Sequence, residues 1–164
     1  MNAAGLPPEP KGDPVHIREK RPTLLVLHIN DSTDDQVLFQ TACKHAEVPF
    51  NWHVADSAEK AVSYFDTLVK LDKDHSVRWP DLVVLDVVMP GESGFAVLEY
   101  IRKTPALRRL PVVIFTGHST PAMVEEAYKL GANSFLAKPA NFSQTVELVS
   151  SLYAIWSIAQ RPTV

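Results

Sequence analysis

The chain has 164 residues, 46% of them hydrophobic and 21% charged, and a formal net charge of -3. That is enough chain for one domain with a full core, and the charge offers no bulk attraction for nucleic acid or an acidic membrane surface. The single cysteine, Cys43, cannot close an internal disulfide, and no apolar run approaches the ~20 residues of a membrane span or forms a signal-peptide core. A soluble, cytoplasmic protein is expected, with no direct nucleic-acid or membrane partner.

Residues 1–22 hold five of the 13 prolines and show no hydrophobic period, which predicts a flexible arm. The run LLVLHI (24–29) is strand-like, with His28 a satisfied core or edge residue. Ser32 or Thr33 then caps a helix reaching about Ala46, whose first turn carries Asp34 and Asp35, where acids suit the positive helix end. Cys43 on this helix reads as a small apolar filler. NWHVA (51–55) is a second strand. Asp56 with Glu59 three residues on resembles a capping arrangement for a helix carrying Ala58, Ala61, Val62, Phe65, Leu68 and Val69 at helical spacing. After the polar loop DKDHSVRWP (72–80) come DLVVLD (81–86) and, further on, PVVIF (111–115), apolar on both faces as central parallel strands are. Gly94–Lys103 between them is helical. Thr120-Pro121 starts a fourth helix that ends at Gly131, SFLA (134–137) is a fifth strand, and Asn141 caps a last helix running to about Gln160. Five βα units predict a doubly wound α/β domain over residues 23–160, with a short tail at 161–164.

Ligands in open α/β sheets collect beyond the carboxyl ends of the strands. Those ends carry Asn30-Asp31, Asp86, Thr116 and Lys138. Gathered carboxylates repel, so a hard dication is their natural neutraliser, and Mg²⁺ needs only one or two protein carboxylates because it keeps its waters. A carboxylate attacking an anionic phosphoryl group needs the same neutralisation, with a lysine ammonium and a hydroxyl alongside. Asp86, at the tip of an apolar strand and followed by the turn VVMPGESG, is placed to be a phosphoryl acceptor.

LVLHINDSTDDQ (25–36), LDVVMPGESG (85–94), IFTG (114–117) and KLGANSFLAKPA (129–140), in this order, resemble the receiver domain of bacterial two-component response regulators. The resemblance implies a five-stranded parallel sheet of order 2-1-3-4-5 and transfer from a sensor histidine kinase to Asp86. It implies Asp31, Asp86 and the backbone carbonyl of Val88 as Mg²⁺ ligands, and Thr116 and Phe135 as switch residues. It further implies a cis Lys138-Pro139 peptide and places His118 at a position that tunes loss of phosphate. Asn30 departs from the family's acidic pair: it offers a carbonyl oxygen or a hold on a metal-bound water but no charge, which predicts weaker Mg²⁺ affinity. A shifted register, pairing Ile29 with Asn30, would leave no acid. The first register is preferred because Asp34-Asp35-Gln36, Leu38 and Phe39 then fall where the family's first helix has them.

No output domain follows Gln160 in this sequence, so output is expected through protein binding. The last helix, NFSQTVELVSSLYAIW onward, has an apolar stripe of Val149, Leu152 and Trp156 widened by Leu148, Ile155, Tyr153 and Ala159, a pattern of interfaces. It is similar to stand-alone regulators serving bacterial phytochromes, which implies a homodimer through the helix 4, strand 5, helix 5 face and a phytochrome or hybrid kinase as donor. The alternative is a phosphate-independent interaction module on the same fold. An aspartyl-phosphate phosphatase would need an acid two residues past Asp86, where Val88 stands, and no GxGxxG follows the first strand. The chain therefore reads as a non-enzyme.

Overall fold

The computed structural model describes residues 21–73 and 77–159; most of the arm, part of the 72–80 loop and the tail lie outside the described residues. Five strands, β1 (Leu24–Ile29), β2 (Phe50–Ala55), β3 (Leu82–Leu85), β4 (Val112–Thr116) and β5 (Ser134–Ala137), alternate with helices α1 (Thr33–His45), α2 (Ala58–Leu71), α3 (Gly94–Lys103), α4 (Pro121–Lys129) and α5 (Phe142–Ile158). The sheet is parallel throughout, in the order β2-β1-β3-β4-β5. The expected architecture is the observed one.

Strand periodicity sorts each central strand onto two cores. Leu27, Ile29, Val83, Leu85, Val112 and Ile114 meet α2, α3 and α4 through Phe65, Leu98, Ile101 and Ala127. Val26, Leu82, Val84, Val113 and Phe115 meet α1 and α5 through Phe39, Ala42, Val149 and Leu152. Burial on both faces explains why β3 is wholly apolar and why β1 and β4 are apolar but for His28 and the terminal Thr116. The edge strands β2 and β5 are covered less completely. Cys43 fills the second core, where burial pushes its thiol up to about 12 and leaves it unreactive.

The helix ends follow local chemistry. Ser32 Oγ accepts from Asp35 N–H, Thr120 Oγ1 from Met123 N–H above Pro121, and Asn141 Oδ1 from Gln144 N–H. Gly131, at φ +94°, closes α4 in a left-handed turn, with Ala132 N–H on the Ala127 carbonyl and Gly131 N–H on that of Tyr128. The α2 cap is a correction: Ser57, not Asp56, accepts from Lys60 N–H, while Asp56 pairs with the Lys60 ammonium at 2.6 Å. The α2 stripe is also narrower than its spacing predicts, since Ala58, Ala61 and Phe65 are buried but Val69 is exposed. Asp81 and Asp86 lie just outside β3, one at each end. Gly94 is dictated by space: a Cβ there would overlap the carbonyl oxygen of Asp86 and stand 2.8 Å from Val87 Cα. The start of α3 is thus pressed against the loop that follows Asp86.

Candidate functional site

The carboxyl ends of β1, β3, β4 and β5 meet at one point. Asp86 N–H donates to the Ile29 carbonyl at 2.9 Å, which carries the β1–β3 register one residue past the strands and sets Asn30 beside Asp86. Asp86 is only 6% exposed. A carboxylate so placed needs partners, and it has two: Oδ1 accepts from Val88 N–H at 3.0 Å, and Oδ2 from the Lys138 ammonium at 2.5 Å. Lys138 is held in turn by its backbone N–H on the Thr116 carbonyl at 2.8 Å, which ties β5 to the end of β4. Thr116 is fully buried, and its Oγ1 accepts a long bond, 3.4 Å, from His118 N–H.

Lys138 has a second carboxylate that sequence reasoning missed. Asp35, in the first turn of α1, accepts from the same ammonium at 2.6 Å. Burial pulls the Lys138 ammonium toward deprotonation, but the hydrogen bonds and charges of Asp35 and Asp86 outweigh it and hold the group above the usual lysine range. The ammonium also lies 5.9 Å from the Phe115 ring centre.

Asn30 is fully buried and behaves differently from expectation. Its Oδ1 accepts from Ser32 N–H at 2.8 Å and its backbone carbonyl from Gln36 Nε2 at 2.6 Å, while Nδ2 has no partner. The oxygen expected to face a metal is already spent on the helix start. Asp31, next along, is exposed, and Val88 is exposed in the loop. Phe135 is half-buried against the core of the α2–α4 side, its N–H on the Tyr128 hydroxyl at 3.3 Å. His118 is exposed beyond Thr116. The cis Lys138-Pro139 peptide is a second correction, because no peptide among the described residues is cis; Lys138 reaches Asp86 with a trans bond. His28 is a third: it is buried in the second core against Phe39 at 5.0 Å, but its Nδ1 lacks a partner.

The family model of the response regulator receiver domain matches residues 26–150. The chain belongs to this family. Among relatives, it is 27% identical over 138 residues to Response regulator Rcp1 of Synechocystis, covering 84% of this chain and 92% of Rcp1. The crystal structure of the phosphorylated cyanobacterial phytochrome response regulator RcpA superposes with a TM-score of 0.74 at 27% identity, covering 87% of this chain and all (100%) of that one. Two-component response regulator ARR3 of Arabidopsis thaliana is 27% identical over 136 residues, and there the chain spans 54% of the relative's length.

In this receiver domain the donor set for a dication is small. Among the described residues no group of three or more His, Cys, Asp or Glu side chains converges as a metal site. Asp86 is the buried carboxylate that remains at the strand ends once Asn30 is discounted, and Asp31 is exposed just beyond β1. Such a set fits Mg²⁺, which retains several waters, and does not fit ions that require a full protein cage. No helix among the described residues is long and apolar enough to cross a membrane.

Proposed function

We propose that this receiver domain takes a phosphoryl group on Asp86 from the phosphohistidine of a sensor kinase, in a reaction that needs Mg²⁺. The observation that carries this reading is the Lys138 ammonium on Asp86 Oδ2, at the one buried carboxylate among the strand ends. In the transfer, a lone pair of an Asp86 oxygen forms a bond to phosphorus. The bond from phosphorus to the donor imidazole nitrogen breaks, its electron pair leaves with the ring, and the ring takes a proton from solvent. Lys138 moves its hydrogen bond from the carboxylate to a phosphoryl oxygen, and the Thr116 hydroxyl gives up its weak bond to His118 to meet another. Asp86, Asp31 and the Val88 carbonyl would hold Mg²⁺, whose charge offsets that of the transferring group. A Mn²⁺-bound form is known for Rcp1. Incubated with Mg²⁺ and acetyl phosphate, the chain is expected to gain the mass of one phosphate, and Asp86→Asn to gain none. An adduct that survives Asp86→Asn would move the acceptor elsewhere, and no adduct with any donor would favour the phosphate-independent module.

The output surface in this reading is α4, β5 and α5. Drawing Thr116 toward Asp86 vacates space beside β5 into which Phe135 can turn, a shift of population driven by contacts made only to phosphate. Beside β5 lies an apolar groove of about 590 Å³ lined by Leu136, Leu148, Leu152, Ile155 and Trp156. Ile155 is 58% exposed, unusual for its size and position next to such a groove. A second copy of the chain is the proposed occupant. Sedimentation equilibrium with beryllofluoride is expected to raise the dimer fraction, and Ile155→Asp to abolish the rise; association that ignores both changes would remove the coupling. The kinase is proposed to be of the phytochrome class by analogy with RcpA, a cyanobacterial phytochrome response regulator.

A further inference from the structure

Asn30 and Asp35 show two features that the transfer chemistry above leaves unused. Asn30 is wholly buried beside Asp86, its oxygen given to Ser32 and its amide nitrogen without a partner. An amide whose oxygen is committed in this way has only N–H groups left over, and N–H groups do not bind a dication. Asp35 reaches from α1 to the Lys138 ammonium, 103 residues away in sequence, at 2.6 Å and shares it with Asp86.

Charge counting connects the two. Two carboxylates, Asp35 and Asp86, share the one Lys138 ammonium and leave one net negative charge for a dication to meet. Without Asp35 the ammonium would belong to Asp86 alone, and the pair would carry none. Sharing matters as much as counting. An ammonium divided between two carboxylates neutralises each less, so Asp86 keeps more of the negative charge that both a metal and an electrophilic phosphorus require. The Asp35 side chain is partly exposed and its reach is fixed by the capped first turn of α1, so it can hold the ammonium without being buried itself.

We propose that Asp35 is a positioning residue of this pocket, drawing part of the Lys138 ammonium away from Asp86 and restoring from α1 the negative charge that Asn30 fails to supply at the end of β1. The proposal rests on the reading of Asp86 as a metal-dependent acceptor, and its test separates the two. Isothermal titration of the whole chain with Mg²⁺ is expected to show Asp35→Asn binding about tenfold more weakly, an effect of the size that one charge exerts across a partly screened site. Asn30→Asp in that background is expected to return the affinity to near that of the unsubstituted chain. An Asp at position 30 can keep the Ser32 bond with one oxygen and turn the other to the pocket. A merely structural role for Asp35 would not be repaired this way. Unchanged Mg²⁺ binding in Asp35→Asn overturns the proposal, as does a weakening that Asn30→Asp leaves in place. Parallel mass measurement with acetyl phosphate reports on Asp86 alone: Mg²⁺ binding without an adduct on the unsubstituted chain sinks the acceptor reading and leaves the Asp35 result standing on the titration. No Mg²⁺ binding by the unsubstituted chain overturns both.

Discussion

Lys138→Met is expected to slow phosphoryl acceptance at Asp86 by about a hundredfold or more, the cost of removing one preorganised donor to a developing anionic group. The ammonium is the only cation bonded to Asp86 among the described contacts, and its place is set from both ends. The backbone N–H is locked on Thr116 and the head group is clamped by Asp35. Lys138→Arg is not a mild change here, since a planar fork cannot occupy the point between two carboxylates that a compact ammonium fills. The same substitution has a second readout. With the cation gone, Asp86 keeps only the Val88 N–H and becomes a buried charge with no counter-ion, and the folded state is expected to lose roughly 3 kcal/mol in denaturant unfolding at pH 7. Because the folded Lys138 sits above its unfolded range, its contribution is complete below the unfolded lysine value and fades as pH rises through the folded one. Equal unfolding midpoints for the two proteins at pH 7, or undiminished phosphate uptake, would contradict the role given to this ion pair.

Acid is expected to weaken the fold through His28 well before it reaches the range of ordinary carboxylates. Burial, with the Lys138 charge adding to it and Asp86 and Asp35 opposing, lowers this imidazole from 6.5 to about 4. The ring is enclosed by Phe39 and Trp52, with Nδ1 unpartnered, so protonation would put an unsolvated charge among aromatic faces. The folded value lies below the unfolded one, so the unfolded chain binds the extra proton first. Full stability from this residue is therefore present above pH 6.5 and is lost as pH falls from there toward 4, by about 3 kcal/mol in all. Unfolding in urea at a series of pH values measures the slope. His28→Leu, which fills the same core without a titrating group, should flatten it between pH 6.5 and 4 while leaving behaviour at pH 8 nearly unchanged. Parallel curves for the two proteins would assign the acid sensitivity to other groups.

The elements were legible because their signals are local. Largely apolar runs at β1, β3 and β4, caps at Ser32, Thr120 and Asn141, and a glycine where α4 must turn left-handed are each written within a few residues. The α2 cap was misread because Asp56 and Ser57 are both competent cap residues; backbone geometry chose Ser57 and released Asp56 to Lys60. Asp35 was read as a helix-dipole acid for the same kind of reason. Its position in the first turn fully accounts for an acid there, and nothing nearby in sequence signals a lysine 103 residues on. A sharper signal did exist: an acid in the first turn of the helix that follows β1 lies at the carboxyl end of the sheet, where the strand leading to Lys138 also ends.

By itself the sequence determined the strand order's class, the layering and the gathering of Asp86, Thr116 and Lys138, because hydrophobic period and strand-end placement are properties of short segments that parallel topology then aligns. Only the tertiary structure decided which way Asn30 turns its amide, that Asp35 shares the Lys138 ammonium, and that His28 is enclosed with a nitrogen unmet. Those are choices among partners far apart in the chain, settled by competition for hydrogen bonds and by exclusion of water, and neither quantity exists until the β1, β3 and β5 ends have met α1.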